Sequence, residues 1–535
     1  MPDVRAAPGN CRQSSRPTDR AYSDKRGRRA SARRPFCLSC AFRSGGHLGE
    51  ALNCLLAAQS CRNFAPAGWM RRYSVSQCVA RLRTNYEGIA RSSSLLLEAI
   101  GTAYDRIEAE RDRNCWIYLR PRQEALEECH KLVARARTGE NLPLLGIPFG
   151  VKDNIDVAGM PTTAACPAFS YTPWHSAHSV ERLTAAGAIC LGKTNLDQFA
   201  TGLSGVRSPH GPCASVADAR YVAGGSSSGS AVAVAAGHVA FALGTDTGGS
   251  GRIPAGFNNI VGIKPTVGLV SSRGLVPNCP TIDCVSVFCN TVSDGEAILD
   301  IIEGFDFEDP YSRLPRTFFS ANGAAASFRF GRVAPADLEC FGMSECGELY
   351  ESACERLAHI GGTAIEVDFA PFRQAGELMF SGPWVAERRS AIASLIDVES
   401  GSLLDVTRTV LGSAAGYSAI DTFGAIHRLH RLRRDAEAIF AGIDALVVPT
   451  APRPFTLEEM HRDPITLNNR LGYYSYFANL LDLCGVAVPN AKLSNGMPMG
   501  VTLLAPAWHD RALIGLARRF EAGADGSAFE LKSGG

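Results

Sequence analysis

The chain has 535 residues, 46% of them hydrophobic and 20% charged, which is an ordinary composition for a globular protein. Its formal net charge of +1 conceals a division: residues 1–72 carry fourteen basic and four acidic side chains, and the rest carries 40 basic and 49 acidic ones. The mildly acidic body argues against nucleic-acid binding, and the lack of any run of about 18 uncharged apolar residues argues against a membrane-spanning helix.

The first 72 residues form a basic tail that is rich in Arg and Ser and poor in acidic residues. This composition is typical of an organelle transit peptide. Because the segment lacks a clear amphipathic repeat, a disordered tail, or an upstream stretch with the true start near Met70, fits as well. We therefore expect a cytoplasmic protein, with organelle targeting as the alternative.

Eighteen cysteines are scattered along the chain without a repeated ligand spacing. Most are predicted to be buried free thiols in a reducing compartment. The single Cys-x-x-Cys pair, Cys37 and Cys40, has no second pair and no histidine at zinc spacing. Chance explains this pair better than a metal site does.

The periodicity of apolar residues changes near residue 141. Residues 75–140 are predicted to be helical, most clearly at 125–134, where apolar residues recur at a spacing of three and four. Beyond 141, short apolar runs alternate with helical patterns, which favours an α/β sheet with helices on both faces. The predicted strands are 144–151, 188–192, 239–243, 445–450 and 500–505. The predicted helices are 180–186, 230–238, 345–358, 383–396 and 421–440.

Two segments carry little pattern. Residues 310–350 contain many small residues and predict a surface connection, and residues 522–535 predict a frayed end. The chain is therefore divided into a tail at 1–72, a helical region at 73–140, an α/β domain at 141–520 and a flexible C-terminus at 521–535.

Two segments rich in Gly and Ser, 224–230 and 244–252, concentrate hydroxyl groups and unsubstituted backbone amides in a short stretch. A catalytic serine needs a nearby base, and it needs N–H donors where an oxyanion forms. Ser250 follows two glycines, which allow the backbone to turn so that its amides converge. The expected oxyanion donors are the N–H groups of Thr247, Gly248, Gly249 and Ser250. A phosphate-binding loop is disfavoured, because the lysine of the P-loop motif is lacking.

Lys152 is the candidate base, because it directly follows a strand-like run and would project from the end of that strand. A lone lysine beside Asp153 is ordinarily a solvated ion pair. It can act as a base only where burial or neighbouring charge keeps the amine neutral.

Taken together, these residues resemble the amidase signature family, and the resemblance runs from about residue 144 to 517. In that family a Ser-Ser-Lys arrangement takes the place of Ser-His-Asp. The resemblance implies that Lys152 is the base, Ser226 a bridging serine held by a cis peptide, and Ser250 the nucleophile. The spacings of 74 and 24 residues between them agree with the family pattern. Ser227 and Ser228 are expected to be positioning residues, although either remains an alternative relay.

The family resemblance also implies an architecture. It is an α/β/α sandwich around a large mixed, mostly parallel sheet, with 141–520 as the amidase domain.

The resemblance narrows to the allophanate hydrolase subgroup at four segments, 153–167, 193–203, 283–286 and 479–483. The implied substrate is a urea that bears a carboxylate, a group that favours a planar bidentate donor. Residues 382–388 resemble the recognition helix of the subgroup, which implies that Arg388 is the carboxylate clamp. An ordinary surface arginine is the alternative, because Arg389 is adjacent.

The chain departs from the subgroup at several positions. Phe380 stands where a substrate-contacting Tyr is usual, Gly249 where Ala is common, and Ala223 where Pro usually precedes the serine cluster. Phe380 and Ser227 are retained as candidate substrate-binding residues. The smaller C-terminal domain of the subgroup does not follow in this sequence, so the expectation covers the amidase half-reaction.

The resemblance therefore implies an amide hydrolase that releases ammonia from allophanate in urea degradation, without a metal or an organic cofactor. We expect a homodimer with a functional link to a biotin-dependent urea carboxylase. Three alternatives remain: a hydrolase of other small or aryl amides, a subunit like that of the glutamyl-tRNA amidotransferases, and a catalytically impaired amidase-like protein.

Overall fold

The computed structural model describes residues 93–314, 327–398 and 401–525. Eleven strands are present in these ranges: β1 (Trp116–Leu119), β2 (Pro148–Lys152), β3 (Ile189–Thr194), β4 (Phe241–Asp246), β5 (Val261–Lys264), β6 (Cys284–Cys289), β7 (Phe328–Val333), β8 (Gly362–Val367), β9 (Ala445–Pro449), β10 (Leu483–Lys492) and β11 (Pro498–Pro506). They form one sheet in the order β1-β3-β2-β4-β6-β5-β10-β11-β9-β7-β8.

The α-helices of the described residues surround this sheet. They are α1 (Ser93–Ala109), α2 (Arg122–Arg137), α3 (His178–Ala185), α4 (Ser228–Ala235), α5 (Ile253–Phe257), α6 (Val292–Ile302), α7 (Ser344–His359), α8 (Ala370–Phe380), α9 (Trp384–Ala393), α10 (Asp405–Gly412), α11 (Ala419–Phe440), α12 (Leu457–Arg462), α13 (Thr466–Leu471), α14 (Phe477–Leu480) and α15 (Asp510–Asp525). In the same ranges, none of the helices combines the length and apolar character needed to cross a membrane.

Both faces of the sheet are covered by apolar residues. Successive side chains of a strand point to opposite faces. In β3, Ile189 and Leu191 pack in one apolar cluster with α1 and α2, whereas Cys190 between them packs in the main core. Phe241 and Ala242 of β4 divide between the same two clusters. The predicted α/β architecture with a large mixed sheet is therefore confirmed.

One detail of that prediction is corrected. Parallel pairing is confined to two blocks, β3-β2-β4 and β9-β7-β8, and the other six of the ten neighbouring pairs are antiparallel. Parallel neighbours need a long crossover, whereas antiparallel ones can be joined by a short turn. The long strands β10 and β11 form such a hairpin, closed by Leu493 N–H donating to the Met497 carbonyl at 2.8 Å.

Most of the predicted elements are present, and their ends lie within a few residues of the expected ones. The segment predicted to be a surface connection, 310–350, contains β7, which lies between β8 and β9 in the sheet. The sequence of β7, Phe-Arg-Phe-Gly-Arg-Val, obscures this strand because two arginines and a glycine interrupt the apolar residues. Strand β1 lies where the sequence predicts helix, and β5, β6, β8 and β10 have no predicted counterpart. The predicted tail at 1–72, with Cys37 and Cys40, lies outside the described residues, and the proposed domain boundaries stay a prediction.

The described cysteines agree with the prediction of buried free thiols. Twelve are described; none forms a disulfide in the described chain, and all but the partly buried Cys340 are buried. Burial raises the pKa of the Cys190 and Cys213 thiols to about 12, so both are protonated at neutral pH.

Strands β2 and β4 bring the two candidate catalytic segments to the same edge of the sheet. They are parallel neighbours, with Phe149 in register with Phe241 and Val151 with Leu243. Strand β2 ends at Lys152, and the Gly-rich segment follows the end of β4. Because parallel strands end at the same edge, the candidate base and the candidate nucleophile face a common space. The rings of Phe149 and Phe241 stack at 5.1 Å between centroids and are almost wholly buried.

Replacing Phe149 with Ala should lower the free energy of unfolding by about 3–5 kcal/mol, because it removes a buried ring and leaves a cavity between β2 and β4. Urea or guanidinium unfolding measures the change. Trp174→Ala is the matched control, since Trp174 is 93% exposed. Equal losses in the two variants would contradict the role assigned to the stacked pair.

Candidate active site

Lys152 lies wholly buried at the end of β2. Its Nζ is 2.8 Å from Ser226 Oγ and 2.7 Å from Thr245 Oγ1. A neutral amine can donate to one of these hydroxyls and accept a proton from the other. The arrangement therefore connects the predicted base directly to the predicted bridging serine.

Burial lowers the pKa of Lys152 to about 7, against the opposing charges of Asp197, Asp283 and Asp246. Removal of water penalises the ammonium form, and none of the three carboxylates pairs directly with Nζ in the described structure. At neutral pH a large fraction of Lys152 is thus uncharged, which is the state that a base requires.

The serine cluster is arranged so that Ser226 meets the lysine. The Gly225–Ser226 peptide is cis. Ser227 Oγ is instead engaged with the main chain of Thr245, donating to its carbonyl at 3.1 Å and accepting from its N–H at 3.3 Å. Ser228 is buried at the start of α4. Of the three serines considered as relays, Ser226 has the geometry for proton exchange with Lys152.

Ala223 precedes this cluster. It donates its N–H to the Cys213 carbonyl at 3.2 Å. Proline, which is usual at this position in the subgroup, has no N–H and could not form this bond.

Asp246 organises the segment after β4 that carries Ser250, the candidate nucleophile. Its carboxylate accepts the N–H groups of Gly249 at 2.8 Å and Gly251 at 2.9 Å. The Gly249 N–H is thus occupied within the segment. This narrows the predicted oxyanion donors to the N–H groups of Thr247, Gly248 and Ser250, which no hydrogen bond engages in the described part of the chain.

The peptide between Gly248 and Gly249 is held from both sides. Ser475 Oγ donates to the Gly248 carbonyl at 2.8 Å, while Asp246 accepts the Gly249 N–H. Gly249 has a φ of +134°, and a Cβ added there would lie 2.3 Å from Ser475 Oγ. The position therefore requires glycine.

A buried ion pair anchors this segment. The guanidinium of Arg252 contacts both oxygens of Asp246, with Nε and Nη2 each at 2.9 Å, and both side chains are wholly buried. Burial alone would raise the pKa of Asp246, but the charge and hydrogen bonds of Arg252 outweigh it and hold the pKa below its usual value. Arg252 Nη2 also donates to the Ser475 carbonyl and to Asn479 Oδ1, at 3.2 and 3.3 Å.

Ser250 opens onto a cavity of about 220 Å³. The wall includes two arginines and, within the described ranges, no Asp or Glu. Of the predicted site residues, four line this cavity: Thr247, Gly248, Ser250 and Arg388. Further lining residues, which sequence reasoning missed, include Arg207, Asn278, Asn468 and Tyr476.

Arg388 reaches this cavity from α9. Its Nε donates to Asn278 Oδ1 at 3.0 Å. Asn278 is itself fixed, because its Nδ2 donates to the Phe199 carbonyl at 2.9 Å. The adjacent Arg389 instead donates to the Leu411 carbonyl at 3.4 Å. The structure therefore places Arg388, the predicted clamp, in one cavity with the predicted nucleophile.

Of the other two predicted substrate-binding residues, the structure places only the side chain of Ser227. Ser227 lies beneath the site, bonded to the main chain of Thr245. Phe380 is the last residue of α8, and its side chain lies outside the described part of the structure.

Sequence reasoning missed three residues that support the site, Asp246, Ser475 and Asn479. Asp246 lies within the Gly-rich segment and is followed by Arg252. An acidic and a basic residue so close to the candidate nucleophile could have indicated their ion pair from the sequence. Ser475 and Asn479 are more than 220 positions away, and no local pattern connects them to that segment.

Comparison with known proteins identifies relatives of most of the chain. Residues 98–514 match the Amidase family. Urea amidolyase of Saccharomyces cerevisiae is 40% identical over 414 residues, which are 76% of this chain and 22% of that protein. The chain thus spans about a fifth of the length of this relative. A glutamyl-tRNA(Gln) amidotransferase subunit of an Exiguobacterium species is 33% identical over 469 residues, which are 81% of this chain and 96% of that one.

A solved structure shows the same fold. Allophanate hydrolase of Kluyveromyces lactis superposes with a TM-score of 0.76 at 36% identity, covering 85% of this chain and 73% of the other.

Replacing Asp246 with Ala should destabilise the protein by about 3–5 kcal/mol, because it leaves the buried Arg252 guanidinium without its partner. It should also abolish the reactivity of Ser250, since Gly249 and Gly251 lose their acceptor. Denaturant unfolding measures the first effect. Glu458→Ala, which breaks an exposed pair with Arg462, is the control and should change stability far less. A stable, fully reactive Asp246→Ala protein would contradict the anchoring role.

The reactivity of Ser250 should rise with pH through about 7, because Lys152 accepts a proton only in its neutral form and its pKa is lowered to about 7. The rate of labelling by a fluorophosphonate probe, measured from pH 5 to 11, gives this profile. Lys152→Met should label slowly and lose the inflection. An inflection near pH 10 in the wild type would show that the pKa of Lys152 is not lowered.

Proposed function

The chain belongs to the amidase family and is an amidohydrolase of linear amides, and within that family we propose that it hydrolyses allophanate through a Ser-Ser-Lys site. Allophanate is a urea whose second nitrogen carries a carboxylate. The observation that carries the proposal is the cavity itself. In the described structure Ser250 shares it with the guanidinium of Arg388 and with no acidic side chain.

The cavity fits a small anion in its size and its charge. A volume of about 220 Å³ leaves room for a substrate of a few heavy atoms beside ordered water. The planar guanidinium of Arg388 can bind a carboxylate through two parallel hydrogen bonds. Bound in this way, the substrate presents its terminal amide carbonyl to Ser250.

In the acylation step, neutral Lys152 takes a proton from Ser226, which takes one from Ser250 as Ser250 Oγ attacks the terminal carbonyl. The N–H groups of Thr247, Gly248 and Ser250 stabilise the oxyanion. The C–N bond then breaks, and the relayed proton leaves with ammonia. Water attacks the acyl-enzyme by the same route, which restores Ser250 and releases N-carboxycarbamate.

The substrate defines a functional partner by its chemistry. Allophanate is carboxylated urea, so an enzyme that carboxylates urea must supply it. We therefore propose a functional link to a biotin-dependent urea carboxylase. The similarity to urea amidolyase supports this link, while the homodimer and the roles of Phe380 and Ser227 stay predictions.

A second candidate is an amidotransferase-like subunit. One observation favours it: the chain aligns with 96% of the Exiguobacterium amidotransferase protein, at 33% identity. Such a subunit would take ammonia from glutamine, which carries an α-carboxylate that an arginine can bind but also an α-ammonium group that would need an acidic partner. The absence of an acidic side chain from the described wall therefore favours the anionic substrate.

Ammonia release from allophanate, biuret and glutamine tests the proposal. Biuret is the matched neutral substrate, since an amide replaces the carboxylate. We expect allophanate to be preferred and Ser250→Ala to be inactive. Arg388→Gln should lower kcat/KM for allophanate by about 10- to 100-fold, because it removes hydrogen bonding between two charged groups, which contributes about 1.5–3 kcal/mol.

Arg389→Gln is the control for this substitution, because Arg389 is adjacent but bonds to the Leu411 carbonyl. Turnover of biuret without turnover of allophanate would contradict the proposed substrate. Glutamine as the preferred substrate would favour the amidotransferase alternative.

A further inference from the structure

Arg207 is a second arginine in the wall of the cavity, and the mechanism above does not use it. It follows the turn at Gln198–Ala200 and is 3% exposed. Its Nη1 donates to the Thr201 carbonyl at 2.9 Å and its Nη2 to the Pro464 carbonyl at 2.5 Å. Its Nε is buried without a hydrogen-bond partner in the described residues.

The charge of Arg207 lacks a salt-bridge partner in the described chain. Asp197 is the acidic residue that acts on it most strongly, but the oxygens of Asp197 accept main-chain N–H groups. These belong to Ser204, Gly205 and Arg207, at 2.8–3.2 Å. A buried charge is ordinarily paired, because its removal from water is costly. Arg207 therefore resembles one half of an ion pair whose other half is a ligand.

Arg207 and Arg388 also act on each other. Burial lowers the pKa of Arg207, the charge of Asp197 raises it, and the charge of Arg388 lowers it again. Two guanidinium groups near one small cavity, with no acidic side chain in its described wall, make the cavity positive before a substrate enters. A positive cavity attracts an anionic substrate, whereas a neutral amide gains no comparable attraction.

Arg207 further connects two segments that line the cavity. One of its carbonyl acceptors, Thr201, precedes the lining residues Gly202 and Leu203, and the other, Pro464, precedes Ile465. The same segments are joined a second time, because Leu203 N–H donates to Asn468 Oδ1 at 2.8 Å. The guanidinium is thus fixed in position, so its charge is held at the wall.

We propose that Arg207 is a second specificity-determining residue, whose fixed positive charge acts with Arg388 to select an anionic amide. This inference rests on the proposed function, because it assumes that the anion is the substrate. Arg388 binds the carboxylate directly. Arg207 acts as a permanent cation that is anchored to two carbonyls, and it disfavours neutral and cationic amides of the same size.

The alternative is that Arg207 only connects the two segments. A purely structural residue would affect allophanate and biuret equally, whereas a charge that selects the anion would affect allophanate more. The ratio of kcat/KM for allophanate to kcat/KM for biuret therefore separates the two roles. It is insensitive to the fraction of folded enzyme, because both substrates are measured on one preparation.

The experiment compares Arg207→Gln, Arg207→Lys and Arg388→Gln with the wild type. We expect Arg207→Gln to lower the allophanate-to-biuret ratio by about 10-fold, mainly through KM for allophanate. Arg207→Lys should keep most of the ratio, since it keeps the charge. Arg220→Gln is the control, because Arg220 is exposed and pairs with Asp218. The melting temperature of each variant is recorded alongside.

An unchanged ratio in Arg207→Gln, with both substrates slowed equally, would overturn the inference and leave Arg207 as a structural connection. If Arg207→Gln does not fold, Arg388→Gln provides the test. It should still prefer allophanate, because Arg207 remains, and equal rates for the two substrates would overturn the inference. A wild type without any preference for allophanate would instead contradict the proposed function, so the two failures are distinguishable.

Discussion

The buried ion pair between Asp246 and Arg252 is the interaction on which the site depends. Moving two charges out of water is costly, and their attraction offsets that cost only when the geometry is good and the remaining polar groups are satisfied. Here the contact is bidentate, and Asp246 also accepts two main-chain N–H groups. Asp246 ends β4, while Arg252 contacts Ser475 and Asn479. The pair therefore connects the segment of the candidate nucleophile, Ser250, to the C-terminal third of the chain.

The site combines two electrostatic environments within a short distance. At Lys152, the loss of water outweighs the attraction of three carboxylates, and the amine is brought near neutrality. In the neighbouring cavity, two arginines line the wall, and none of its described lining residues is acidic. The first environment suits proton transfer, and the second suits an anion. Burial produces both effects, because a low dielectric penalises a charge and also strengthens the field of a charge that persists.

Much of the fold and of the site could be predicted from the sequence. Five of the eleven described strands were predicted, β2, β3, β4, β9 and β11, and Lys152 and Ser226 do lie within hydrogen-bonding distance of each other. Strand β7 was missed because arginines and a glycine interrupt it, and β1 because it has only four residues next to helical patterns. The antiparallel half of the sheet was missed as well, since strand direction depends on connections and not on the composition of a strand.

The sequence by itself determined which residues are available for the proposed chemistry, because a base, two serines and glycines that permit the turn must be of those types to act. Only the tertiary structure decided how they are used. In the folded chain, Ser227 is hydrogen-bonded to the main chain of Thr245, and the Gly249 N–H donates to Asp246. Arg207, Arg388 and Ser250 line one cavity. The physical reason is that hydrogen-bond partners, burial and charge depend on neighbours from distant segments, and residue spacing along the chain does not specify those neighbours.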